Sequence, residues 1–473
     1  MKLFISQALS GKALATKFVD MIQPGAGVST ADIFYRSVRG MRVKSLFLCG
    51  VIVCLHAQPD PGDLLQRVTR KVLETVDRLP KYMCTQTIDR SQYEPPAGPA
   101  KHSCGPPTDV EALMEVSLGV ERLKPLLLTT SDRLRLDVAV SGGREMYSWV
   151  GESRFEDRGL FQLVRSGALS TGSFASLLMV VFRDDQASFS YKGEITEAGR
   201  QLADFEFRVS VQSSHYIYTG AGKRVTTGYY GSILVDPRTA DLERLTVHTE
   251  GLPPETGSCE ASTTLDYSRV RLNRAEFLLP NQGQLQILDA NGTDLRNSTV
   301  YSGCREFLGE STLRFDAAPE PGAPAAGKAA AADELPAGLP FTIAPNSSID
   351  QTAAAAGDKI GAKLTTAIRD SKGQTLVPKG AAVTARIVQI RRFYVPEASL
   401  RMALKLETVD IAGTRRRLAA VPDSSSSASN ALQSIYDPVA LDTQDPQAAV
   451  FVFWDKGHFV AFSGFESNWR TAP

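Results

Sequence analysis

The residues able to do covalent chemistry are few, and the cysteines come first. Cys84, Cys104, Cys259 and Cys304 all lie downstream of an export signal, and an even number of cysteines in an exported chain points to two disulfides. Pairing between neighbours in sequence, Cys84 with Cys104 and Cys259 with Cys304, is the expected connectivity among the three possible. Each such bridge closes a loop of tens of residues and contributes about 3 to 4 kcal/mol in the chain-entropy account. Zinc is the competing use, with His102 beside Cys104, but no Cys-x-x-Cys spacing supports it. The expectation is therefore no metal and no cofactor.

Nucleophilic catalysis commonly presents its serine on a Gly-x-Ser-x-Gly elbow, and the sequence has none. His102, His215, His248 and His458 are far apart, without the His-Glu-x-x-His helix of a metalloprotease. Asp204 with Glu206, or Asp184 with Asp185, could supply the acid and base of sugar hydrolysis. Strand alternation puts the first pair on a solvent face, and the second pair falls in a loop. Gly322, Gly327 and Lys328 carry phosphate-loop spacing, but Ala329 stands where the hydroxyl residue belongs and no strand precedes. Asn-x-Ser/Thr sequons at Asn291, Asn297 and Asn346 matter only in a eukaryotic secretory path.

Aromatic residues at alternate positions are the remaining chemical feature. Phe189, Tyr191, Phe205, Phe207, Tyr216, Tyr218, Tyr229, Tyr230 and Tyr267 fall on expected strands. Flat rings spaced this way can line a concave pocket for an acyl chain or an apolar peptide, because they bury area with little loss of entropy. Phe189, Tyr191, Phe205, Phe207, Tyr216, Tyr218 and Tyr267 are the pocket candidates. The plainer use of the same rings is as core beneath covering helices.

Lys plus Arg and Asp plus Glu are 52 each, so no excess positive field exists to hold a polyanion, and nucleic acid is excluded as an expected partner. Arg415 to Arg417 follow a turn-like stretch and read as a solvated hairpin. Residues 41–57 have the three parts of a signal peptide: Arg42 and Lys44, an apolar run over 46–55, and Leu55-His56-Ala57 at the cleavage site. A run of about 10 apolar residues is half of what a membrane span needs. Membrane contact is thus expected only through the cleaved signal, and the location is periplasmic or secreted. Residues 1–40 read as an over-extended start; the alternative is a targeting extension whose helix face carries Leu3, Phe4, Leu9, Leu14, Phe18 and Ile22.

The elements that must position these residues follow from periodicity. Pro61-Gly62-Asp63 starts a helix over 63–79 whose apolar stripe is Leu65, Val68, Val72, Val76 and Leu79. From Tyr82 the period becomes alternating. Strands are expected at 134–140 and 145–149 around Ser141-Gly142-Gly143, at 202–211, and at 231–235 and 242–248 around Asp236-Pro237-Arg238-Thr239. Others fall at 187–191, 214–218, 263–272, 277–279 and 285–290, and 160–182 reads as helical. Residues 317–338, rich in Ala, Pro and Gly, form a linker, and short strands over 339–473 suggest a small barrel. The fold class is mainly β (α+β): a curved antiparallel half-barrel over 58–316 with covering helices, then a small C-terminal β-barrel-like domain.

In order, the helix over 63–79, Thr87-Ile88-Asp89-Arg90, Arg133-Leu134-Arg135-Leu136, the helical insert, Val235-Asp236-Pro237-Arg238-Thr239 and Leu265-Asp266-Tyr267 resemble the periplasmic lipoprotein-carrier and sigma-factor-regulator sensor fold. The resemblance, to a LolA/RseB-like half-barrel of exported bacterial proteins, spans about 63–315. It implies an incomplete antiparallel barrel with helices as a lid, holding lipid or lipoprotein acyl chains. Gly357-Asp358-Lys359 through Val377-Pro378-Lys379-Gly380-Ala381 resembles a small β-domain of envelope and secretion-apparatus proteins. The expected function is that of a non-enzymatic cell-envelope protein binding an apolar ligand (an acyl chain or lipoprotein) or a peptide of an envelope partner. A carbohydrate-directed hydrolase using strand-end carboxylates and a structural assembly subunit without ligand are the alternatives.

Overall fold

The computed structural model describes residues 2–5, 60–95, 104, 126–152, 155, 159–306, 335–423, 445–454, 460–461 and 465–472. The expected export signal, most of the expected linker, His102 and His458 lie outside the described residues.

Helix α1 (Pro61–Arg78) opens on a proline, whose missing N–H costs nothing at a first turn, and buries Leu64, Val68 and Val72. The spacing of four residues keeps them on one face. Leu65 and Val76 pack only partly, so the buried stripe is turned from the expected one toward Leu64.

The strands of the main sheet that follows are β1 (Tyr82–Glu94), β2 (Leu127–Ser141), β3 (Arg144–Trp149), β4 (Ser188–Glu197), β5 (Arg200–Val209), β6 (Gly228–Val235), β7 (Leu242–Glu250), β8 (Ser258–Leu272), β9 (Ala275–Asp289) and β10 (Asp294–Glu306). A separate ribbon joins Tyr216–Gly220, Lys223–Thr226 and Lys2–Ile5, so Leu3 and Phe4 lie on a strand and not on the helix face of the alternative reading. They pair antiparallel in the order β4-β5-β6-β7-β8-β9-β10-β1-β2-β3. Among the described residues β3 and β4 do not pair with each other, so the sheet stays open: a half-barrel. Alternation decides its faces. On β5, Phe205, Phe207 and Val209 are buried while Glu206 and Arg208 are exposed.

Three local expectations are corrected. The stretch 160–182 is not one helix but two short ones, α2 (Leu160–Leu163) and α3 (Ser176–Met179), the second running into a π-helical turn at Val180–Asp184. Between them Gly167 holds φ at 87°, and a Cβ there would sit 2.4 Å from the Arg90 guanidinium. The segments 277–279 and 285–290 are one strand, β9, carried across a bulge where Tyr267 faces Pro280 and Asp266 faces Gln282. Strand β10 was not anticipated, because its buried face carries Asn297 and Thr299 where alternation would show apolar residues. Asn297 is satisfied there by donating to the Ala168 carbonyl at 2.8 Å.

The disulfides also differ from expectation. Cys84 joins Cys304 and Cys104 joins Cys259, across sequence separations of 220 and 155 residues. The sheet order explains the first: β1 and β10 are neighbours, and the bulge at 303–304 lies opposite Cys84. Bridges over such spans contribute about 5 kcal/mol each in the chain-entropy account, without being additive.

The C-terminal strands are β11 (Pro340–Pro345), β12 (Lys359–Leu364), β13 (Ala382–Phe393), β14 (Ser399–Ile411), β15 (Ala448–Trp454) and β16 (Ser467–Thr471). Strand β11 pairs with β12 and β16, β13 with β12 and β14, and β14 with β15. They curl around a core that includes Phe341, Ile343, Leu364, Leu406 and Trp469. The end of β13 also pairs with β2, with Arg391 opposite Asp132. Nearby, Arg135 N–H donates to the Ala356 carbonyl at 2.7 Å and Ala356 N–H to the Arg133 carbonyl at 2.8 Å. Gly357 makes that approach possible, since a Cβ there would lie 2.1 Å from the Arg135 carbonyl oxygen.

Candidate binding cleft

The aromatic candidates occupy the half-barrel interior. Phe205, Phe207, Tyr216, Tyr218 and Tyr267 are buried in one cluster with Leu64, Val68 and Val72 of α1, and Phe189 packs against it. Tyr191 is 41% exposed, although its ring lies 5.2 Å from that of Phe205. Phe189 sits 5.5 Å from Phe207 and 5.7 Å from Phe182, so lid and floor share one stack. Burial drives the Tyr216 hydroxyl upward in pKa. It does the same to Tyr218, whose hydroxyl donates to Ser258 Oγ at 2.7 Å. The trough is filled by the chain's own side chains, with α1 lying in it.

Of the carboxylates named above, Glu206, Asp184 and Asp185 have partners, whereas Asp204 Oδ1 is buried without one among the described residues. Glu206 is exposed and pairs with Lys192 at 2.8 Å. Asp204 is raised in pKa by burial and then by Glu206 beside it. Asp184 pairs with Arg183, whereas Asp185 is buried and accepts from Tyr229 Oη at 2.9 Å, His215 N–H at 2.9 Å and His215 Nδ1 at 2.5 Å. His248 bonds instead to Glu260 at 2.9 Å, on a different pair of strands.

A cavity of about 860 Å³ opens where β2 and β3 meet the C-terminal strands. Its apolar wall includes Leu134, Trp149, Leu163, Val388 and Ile390. The remainder mixes polar and charged residues. Lys359 on β12 lies directly across from Arg386 on β13, and Arg386 lies across from Lys405 on β14. Like charges in facing positions repel, so this row of three cations needs carboxylates to hold it.

Two of those cations have them. Arg386 is only 1% exposed. Its guanidinium donates to Glu407, to Glu152 at 2.5 Å, and to the carbonyls of Val150 at 3.1 Å and Gly357 at 2.6 Å. Lys405 pairs with Asp445 at 2.9 Å. Burial alone would raise the Asp445 carboxyl, but Lys405, the Gln447 N–H and Arg165 together hold it below the usual range. On the half-barrel side Arg90 grips Asp132 with two bonds of 2.6 and 2.7 Å and gives a third, of 2.6 Å, to the Ser166 carbonyl. Lys359 reaches only the Gly151 carbonyl, at 3.0 Å. Arg415 and Arg417 line the rim, exposed and with no carboxylate partner among the described residues.

None of these cleft residues has a local signature. Lys359, Arg386 and Lys405 sit on three separate strands, and only strand register brings them into line. Arg415 and Arg417 do lie on a hairpin, formed by Thr414–Arg417 against β14. That hairpin borders a cavity, which composition could not reveal.

No family model and no curated protein matches the chain. Among solved structures, a DUF1329 family protein from Desulfovibrio piger is similar at 10% identity over 52% of this chain and 95% of that one, with a TM-score of 0.25. A LolA superfamily protein from Nitrosomonas europaea is similar at 11% identity over 51% and 93%, with a TM-score of 0.23. The Pseudomonas aeruginosa MucA/MucB complex follows at 11% identity over 50% and 93%, with a TM-score of 0.16. The LolA superfamily, which the order of elements resembles, is thus among the neighbours.

Proposed function

We propose that this is a non-enzymatic binding protein of the cell envelope, exported to the periplasm or beyond, whose half-barrel takes an apolar ligand or an apolar segment of an envelope partner when α1 lifts. The observation carrying this is the seating of α1. An 18-residue helix covers the aromatic interior with three buried side chains. Its polar ties run to one hairpin: Lys71 to the Thr239 carbonyl at 2.7 Å and to Asp241 at 2.7 Å, and Arg67 to the Pro237 carbonyl at 3.4 Å. Burying those three side chains is worth about 1.5–3 kcal/mol each, a cost that an acyl chain filling the same trough would offset. Two disulfides across the sheet support an oxidising location. A connecting segment at 317–338 and a second β-unit over 339–473 that contacts a partner belong to the same proposal.

Native mass spectrometry after gentle purification, together with titration of the fluorescent fatty acid cis-parinarate, tests it. An acyl species at excess mass, or parinarate binding that tightens severalfold in Lys71→Ala, is the expected result. No excess mass and no parinarate binding by either protein would overturn the acyl version.

A further inference from the structure

We infer that the cleft at the junction of the half-barrel and the C-terminal strands is a docking site for an extended acidic polypeptide segment, with Arg415 and Arg417 reading its carboxylates. This rests on the proposed role as a binding protein with a polypeptide partner, and it names the chemistry of that partner at a surface separate from the trough.

Charge bookkeeping inside the cleft carries the inference. Every described carboxylate lining it is engaged: Asp132 by Arg90, Glu152 and Glu407 by Arg386, and Asp445 by Lys405. Four more cations, Arg165, Lys359, Arg415 and Arg417, face the same space. The last three are exposed and form no ion pair with a described carboxylate, although Asp410 lies across from Arg415 on the neighbouring strand. Among the described residues, a protein with equal numbers of acidic and basic residues overall thus concentrates positive charge without an ion-pair partner in one concavity.

The geometry then favours a strand-like ligand. Arg415 and Arg417 are two residues apart on one strand, so they project from the same face at a spacing of about 7 Å. An extended peptide carrying acidic residues at alternate positions repeats at that distance. Guanidinium forks match carboxylates in two-point fashion. The intervening side chains of such a peptide would meet the apolar wall at Leu134, Trp149 and Leu163. The surrounding ion pairs keep that wall rigid, since Arg386 is fully bonded and cannot swing out to compete.

The test uses the full exported chain and a fluorescein-labelled peptide of alternating glutamate and valine, followed by fluorescence anisotropy at low and high salt. An exposed ion pair is worth up to about fivefold in affinity, so the double variant Arg415→Ala/Arg417→Ala should bind about tenfold more weakly, with a flatter salt dependence. Lys372→Ala/Lys379→Ala, which removes two exposed lysines outside the cleft, should bind as the parent does. An unchanged melting temperature in both variants would establish that folding is intact. Equal losses in the two variants, no loss in the arginine variant, or binding of phosphatidylglycerol vesicles in place of the peptide would each overturn the inference. Parinarate binding that persists in the arginine variant would show that the trough reading stands even where this one fails.

Discussion

The half-barrel interior and the junctional cleft are built from opposite materials, and the contrast separates what holds the fold from what is free to bind. In the interior, Phe189, Phe207 and Tyr229 contact one another in turn, within a buried cluster that also holds Leu64, Val68 and Val72 of α1. In the cleft, one wall is apolar and the rest mixes polar groups with charges, part of them bound in ion pairs and part of them without such a partner among the described residues. Interior residues should therefore be costly to change, inner cleft residues costly for a different reason, and rim residues nearly neutral for stability.

The largest effect should come from Phe207→Ala, which removes a buried ring between Phe189 and Tyr229. A loss of about 3–5 kcal/mol is expected from equilibrium urea unfolding. Arg386→Ala should approach it, at about 3–5 kcal/mol, because two carboxylates and two carbonyls lose their shared donor. A loss below about 1 kcal/mol there would mean that the inner cleft is not organised by that arginine. Cys84→Ser/Cys304→Ser should cost about 2–5 kcal/mol, and non-reducing peptide mapping of the parent should recover Cys84 with Cys304 and not with Cys104.

A smaller effect is expected from acid on the tie that holds α1. Burial alone would raise the Asp241 carboxyl, but Lys71 and Arg269 hold it below the ordinary value. Its folded pKa being depressed, the stabilisation is complete above the unfolded value of about 3.9 and is lost as pH falls through the folded one. A fluorophore on α1 through Arg70→Cys should report undocking below about pH 4, and Asp241→Asn should abolish that step. Smallest of all, Arg415→Ala and Arg417→Ala should each shift stability by no more than about 0.5 kcal/mol, so that any binding loss they cause is read cleanly.

How much of this was legible in the sequence depended on whether the signal was periodic or positional. The turns at Ser141-Gly142-Gly143 and Asp236-Pro237-Arg238-Thr239 and the alternation of β5 were readable, because backbone conformation and side-chain facing are local properties. Strand β10 escaped because it buries Asn297 and Thr299, whose hydrogen bonds are made by partners far along the chain. The insert at 160–184 escaped because Gly167 is shaped by Arg90 and not by its own neighbours. The aromatic set was visible as residues, but whether those rings line a void or fill it depends on α1 and the insert carrying Phe182, which pack against them.

Composition and local pattern by themselves determined a mainly β protein, a covering helix ahead of the sheet and the commitment of four cysteines to disulfides. Tertiary structure alone decided which cysteines meet, that Lys359, Arg386 and Lys405 form one cross-strand row, and that Arg415 and Arg417 border a cavity. The physical reason is that strand order and register set contacts between residues tens to hundreds of positions apart. No periodicity within a single strand encodes its neighbour.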